Sequence, residues 1–123
     1  MPHLIVDYSA NLDDFPTDTV LRELNATLCA SGEIADEADL KSRAVAHTAI
    51  VIGTGGGPRG FVHAELRLLT GRSSETKAAL SARIADVLRR HTPKPAGMLV
   101  QMSVEVRDMD RASYAKERLQ NAG

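Results

Sequence analysis

The order of short periodic segments constrains this chain more than any single residue, because strand–helix–strand occurs twice. Residues 2 to 9 alternate, with Pro2, Leu4, Val6 and Tyr8 on one side and His3, Ile5 and Asp7 on the other. This spacing predicts a strand buried on both sides over its middle. Val20, Leu21, Leu24 and Leu28 then recur at helical spacing. Asp13 or Asp14 is expected to cap this helix, Pro16 to fit its first turn and Gly32 to stop it. An acidic link, residues 33 to 39, leads to a second expected strand over 41 to 52. After a glycine-rich stretch the order returns: strand Phe61 to Leu68, a turn with Ser73 as helix cap, a helix marked by Leu80, Ile84, Val87 and Leu88, and a strand from Met98 to Val106. From Asp108 the chain is polar and is expected to form a short helix or an arm.

Strands joined through a helix must run parallel, with a right-handed crossover. The fold class is therefore α/β in the broad sense, specifically an α+β two-layer sandwich. Two tandem β-α-β units (about 2–52 and 61–107) form a four-stranded sheet with two helices on one face. The whole chain, 1–123, reads as one domain. Side-chain identity between the halves is poor, so the repeat is one of pattern. The sheet face without helices would leave Ile5 and Leu99 in water, which points to association through the sheets.

Composition narrows the function. A hydrophobic share of 43% with 25% charged residues argues against disorder. A net charge of −1 supplies no electrostatic case for nucleic acid or an anionic membrane, and 3% aromatics supply few stacking platforms. No apolar run approaches a membrane span and no signal peptide is visible, so a cytoplasmic location is expected. The lone cysteine, Cys29, lies within a helical pattern and reads as a buried structural thiol in a reducing compartment.

Several tempting motifs fail on their context. The run Gly55-Gly56-Gly57-Pro58-Arg59-Gly60 matches G-x-G-x-x-G, but a strand follows it where a dinucleotide site needs a helix N-terminus. It reads as a connection between the repeats. His3, His47, His63 and His91 are too scattered for a local metal-ligand pair, so neither metal nor cofactor is expected. His63, beside Phe61 on a strand face, is a pocket candidate, although a plain surface or core histidine is the commoner case. Lys41 and Arg43 open a strand, and Arg72 sits at a helix start. An arginine fork matches carboxylates, so these residues suit a multiply anionic small substrate; taken singly, each would read as a solvated surface residue.

Pro2 carries the remaining chemistry. Initiator methionine is readily trimmed before a small residue, and trimming here leaves a prolyl secondary amine at the terminus. Unperturbed α-amino groups titrate near ~7.7–8.0, so a modest downward shift leaves such an amine neutral at cellular pH. The plainer alternative is a rigid residue starting an edge strand.

The opening MPHLIVDYSANL, the stretch Lys41-Ser42-Arg43, the block FVHAELRLLTGRSSETK and the strand MLVQMSVEV together resemble the 5-carboxymethyl-2-hydroxymuconate Δ-isomerase family. That family belongs to the tautomerase superfamily, with 4-oxalocrotonate tautomerase and the macrophage migration inhibitory factor group. The resemblance covers nearly the whole chain, and its most specific parts are the M-P-H opening and the F-V-H … G-R-S-x-E block. It implies two fused β-α-β units assembled as a homotrimer and a cofactor-free dienol–keto isomerisation in homoprotocatechuate (4-hydroxyphenylacetate) degradation. Pro2, freed of Met1, would be the catalytic base, moving a proton from the 2-hydroxyl of a dienol di- or triacid to carbon. Arg43 and Arg72, at matching family positions, would bind carboxylates and polarise the enolate oxygen. Lys41 stands where an arginine is expected, keeping the charge but not the fork. Few aromatics surround the implied pocket. Alternatives are another tautomerase, acting on phenylpyruvate- or 2-hydroxymuconate-type substrates, and a non-catalytic trimeric binding domain of the same fold.

Overall fold

The computed structural model describes residues 1–121. Four strands, β1 (His3–Ser9), β2 (Lys41–His47), β3 (Arg59–Leu69) and β4 (Leu99–Met109), form one mixed sheet in the order β2-β1-β3-β4. Helices α1 (Thr17–Ala30) and α2 (Ser74–His91) connect the strands of each parallel pair, β1 with β2 and β3 with β4. The two pairs meet through β1 and β3, which run antiparallel. This is the two-layer α+β arrangement that the periodicity predicts.

Alternation decides which face each strand buries. Leu4 and Val6 of β1 and Val62, Ala64, Leu66 and Leu68 of β3 are buried with Val20, Leu24 and Leu28 of α1 and Leu80, Ile84, Val87 and Leu88 of α2. Val100, Met102, Val104 and Val106 of β4 pack against the same cluster. Fully burying a leucine or valine contributes about 1.5–3 kcal/mol, so the helices hold this face more firmly than their propensities would. Cys29, expected to be buried, is only half-buried, at the margin of the same core.

The opposite face stays open. Ile5 is only partly covered, and Val45 and Leu99 keep 42% and 54% of their surface exposed. The strand β1 is thus buried on one side within the chain, not on both. Around those apolar residues the open face carries paired charges: Asp7 with His47 at 2.8 Å, and Glu65 with Arg67 at 3.3 Å and Arg107 at 3.5 Å.

Several boundaries differ from expectation. The strand β2 stops at His47, not at residue 52, because its partner β1 ends at Ser9 and leaves nothing to pair with. The strand β4 runs on to Met109, alongside Leu69, so the tail starts at Asp110. That tail is an arm with one turn, in which the Tyr114 amide bonds the Asp110 carbonyl at 3.1 Å, and not a helix. Neither Asp13 nor Asp14 caps α1: Pro16 occupies the cap position and no side chain bonds the first amides there. Both carboxylates stand too early in the chain to reach those amides. Ser73 does cap α2, accepting from the Thr76 amide at 3.1 Å, and Gly32 ends α1 with a φ of 84° that favours glycine.

Candidate active site

Because β1 and β2 are parallel and in register from His3 opposite Lys41, their starts lie side by side. The Lys41 amide donates to the Pro2 carbonyl at 3.2 Å, which fixes the proline at the start of an inner strand beside Lys41, not on the edge strand the plainer reading supposed. Arg67 of β3 lies opposite His3 from the other side. The turn after β3 supplies Arg72, and the arm after β4 returns to the same end. Arg118 anchors that arm, with bonds of 2.7 Å to Asp36 and 2.8 Å to Asp39. Arg111 adds a 2.7 Å bond to the Thr70 carbonyl. Met1, Asp39, Lys41 and the arm residues Glu117 to Gln120 line an open cavity of about 370 Å³.

Charge converges here. Burial first, then the nearby Lys116, with Lys41 and Arg72 adding to it, holds the terminal amine of Met1 below the usual α-amino value against an opposing pull from Asp39. Burial, Lys41 and Arg43, with the terminal amine and Arg67, likewise hold the His3 imidazole below its ordinary value. His3 is therefore a neutral ring among cations. Arg43 Nη1 lies 3.2 Å from His3 Nδ1, and His3 Nε2 lies 2.9 Å from the Tyr114 hydroxyl. Arginine can only donate, so Nδ1 accepts and Nε2 carries the ring proton.

Four of the sequence-selected residues gather at this end. Pro2, Lys41 and Arg43 are adjacent along the paired strands. Arg72 joins them but is partly committed: it bonds the Glu33 carboxylate at 3.0 Å, the Glu33 carbonyl at 2.9 Å and the Leu69 carbonyl at 3.3 Å. Of its five N–H donors, two remain. Lys41 Nζ is in turn held by the Asp39 carbonyl. His63 stands apart. It lies across from Asp7 in mid-sheet, bonded to Ser103 at 2.7 Å and 3.9 Å from Glu105. Sequence reasoning missed His3 as a partner of Arg43, and missed Tyr114 and Lys116 altogether. A tyrosine in an otherwise polar tail was the only available signal.

A larger cavity of about 480 Å³ lies at the far end, lined by Asn11 and the loop from Ile50 to Arg59. Its one charged group, the Arg59 guanidinium, is engaged by the Ile52 carbonyl at 2.9 Å. Size without reactive groups does not make a catalytic site. Among the described residues no group of three or more His, Cys, Asp or Glu is placed to hold a metal ion, and no helix is long and apolar enough to cross a membrane.

Comparison with known proteins agrees with the geometry. The chain aligns over 96% of its length with a 5-carboxymethyl-2-hydroxymuconate isomerase from Deinococcus radiodurans R1, at 27% identity, a TM-score of 0.88 and 90% coverage of that chain. A 5-carboxymethyl-2-hydroxymuconate delta-isomerase shares the fold at 23% identity and a TM-score of 0.66, covering 98% of this chain and 89% of its own. A fused 4-OT symmetric trimer does so at 21% identity and 0.66, covering 98% and 95%. A search of curated proteins finds no match. The family model described as 5-carboxymethyl-2-hydroxymuconate isomerase matches residues 2–122. With that match over nearly its whole length, on the fold its isomerase neighbours share, the chain belongs to the 5-carboxymethyl-2-hydroxymuconate isomerase family.

Proposed function

We propose that this isomerase converts 5-carboxymethyl-2-hydroxymuconate to its 2-oxo isomer in 4-hydroxyphenylacetate degradation, without a cofactor and with Pro2 as the acid–base group. The observation that carries this reading is the convergence of Lys41, Arg72 and Lys116 on the amino terminus, where burial and those cations lower the amine. With Met1 in place the Pro2 nitrogen is an amide and has no basicity. Removal of Met1 exposes a secondary amine beside Lys41, where nearby cations act to favour its neutral form.

The amine takes the proton of the substrate 2-hydroxyl, and the ammonium so formed returns it to carbon. Arg43, Lys41 and the two free donors of Arg72 hold the substrate carboxylates and offset the charge on the dienolate. His63, four residues along β3 from Arg67 and so roughly 13 Å away, stands outside the substrate contacts of this reading. The half-covered Ile5, Val45 and Leu99 on the open sheet face support a homotrimer packed through the sheets.

The deciding experiment assays Met-free protein, verified by intact mass, against 5-carboxymethyl-2-hydroxymuconate and shorter 2-hydroxydienoates. Turnover that needs the free prolyl terminus is expected. Undiminished turnover by a Pro2→Ala variant, or by protein that retains Met1, would remove Pro2 from the mechanism. Sedimentation as a stable monomer would remove the trimer.

A further inference from the structure

One hydrogen-bond chain at the terminus has a fixed direction. Arg43 donates to His3 Nδ1, which leaves the His3 proton on Nε2, pointing at the Tyr114 oxygen 2.9 Å away. The Tyr114 hydroxyl therefore directs its own proton onward, and it donates at 3.0 Å to the carbonyl oxygen of Met1. That oxygen belongs to the amide whose nitrogen is Pro2. From standard bond lengths, the oxygen and nitrogen of an amide lie about 2.3 Å apart. A substrate oxygen that approaches a free Pro2 amine along the direction of the lost amide bond would sit about 2.7–3.0 Å from the nitrogen, on the side of the amine that the Tyr114 hydroxyl faces.

We propose that Tyr114 is a catalytic residue: once Met1 is gone, its hydroxyl donates to the substrate 2-oxygen as that oxygen loses its proton to Pro2. This rests on the reading of Pro2 as the base. The proton balance closes without consuming tyrosine. The substrate O–H bond breaks, the proton goes to the Pro2 nitrogen, and the oxyanion is held by a Tyr114 hydroxyl that keeps its own hydrogen. The directed chain from Arg43 keeps that hydrogen aimed at the oxyanion throughout, so nothing has to reorient as charge develops. The arm is what makes this possible. It carries Tyr114 between its two anchors, Arg111 on Thr70 and Arg118 on Asp36 and Asp39.

The test uses Met-free full-length protein turning over 2-hydroxymuconate, with trans,trans-muconate as the inhibitor, a diacid lacking the 2-oxygen. Tyr114→Phe is expected to lower kcat by about 10²-fold, in the range of lost oxyanion donors. KM and the muconate inhibition constant are expected to stay within about twofold, because neither reports on the oxyanion. A kcat within twofold of wild type overturns the assignment, and so does a matching loss of muconate affinity, which would make the arm structural. Should Tyr114→Phe fail to fold, the His3 variants decide. His3→Gln retains a donor at the Nε2 position and is expected to remain active, whereas His3→Leu is expected to fall with the tyrosine variant; equal activity of the two overturns the directed chain. Wild-type protein that retains Met1, run alongside, separates the readings. Inactive Met1-retaining protein with active Tyr114→Phe removes only the tyrosine, while active Met1-retaining protein removes Pro2 as the base.

Discussion

The two ends of β1 make the most instructive contrast in this molecule. They are separated by a seven-residue strand, roughly 20 Å. At the Ser9 end lies the larger cavity, walled by a glycine-rich loop whose single charge is tied to backbone. At the Pro2 end the cavity is smaller, but three chain segments bring cations, a neutral histidine and a tyrosine to one amino terminus. Convergence of groups, not volume, is what singles out the Pro2 end as the candidate site. The Pro2 end converges because the starts of the parallel β1–β2 pair, the β3–α2 turn and the arm all meet there.

The sharpest way to break this contrast is to take away the basicity of Pro2. Protein that retains Met1, in which the Pro2 nitrogen is an amide, is expected to fall about 10²–10⁴-fold in kcat/KM below Met-free protein, the usual span for a lost acid–base group. Steady-state kinetics at saturating and limiting substrate would show it. Next in size is Arg72→Ala. Hydrogen bonds to a charged partner contribute about 1.5–3 kcal/mol, so KM for di- and triacids is expected to rise roughly 10- to 100-fold. Monoacid enols should respond much less, and an equal rise for both would assign Arg72 only to its clamp on Glu33.

A smaller effect concerns pH. Burial, Lys41 and Arg43 depress the folded-state pKa of His3, so the unfolded chain binds its proton more readily. The stability from a neutral His3 is complete above its ordinary value of about 6.5 and is lost as pH falls through the lower folded value. Denaturant midpoints taken from pH 7.5 downward should decline more in wild type than in His3→Gln. At the other end of the strand, Gly56→Ala is expected to change activity by less than twofold. A Cβ there meets nothing within 4 Å and the residue has no positive φ. A large loss from that substitution would mean the loop beside the far cavity takes part after all.

The fold was legible wherever a period could be read. The alternation in β3 and β4 and the helical spacing of Leu80, Ile84 and Leu88 mark elements whose burial the structure reproduces. Where partners rather than periods set the outcome, the reading slipped. Residues 48–52 look as strand-like as those before them but run past the end of β1. Asp13 and Asp14 are good capping residues placed too early. At the candidate site, Pro2, Lys41, Arg43 and Arg72 were found from residue chemistry and family resemblance. His3 and Tyr114 were not, because 111 positions separate them and only the returning arm brings their side chains to 2.9 Å.

Local sequence therefore determined the elements, the buried face of each and the chemical types available at the terminus, since these depend on neighbours three or four residues away at most. Tertiary structure alone decided which charges surround the amine, which donors of Arg72 are already spent and which way the protons point along Arg43, His3 and Tyr114. Those are properties of contacts between distant segments, and no local spacing encodes them.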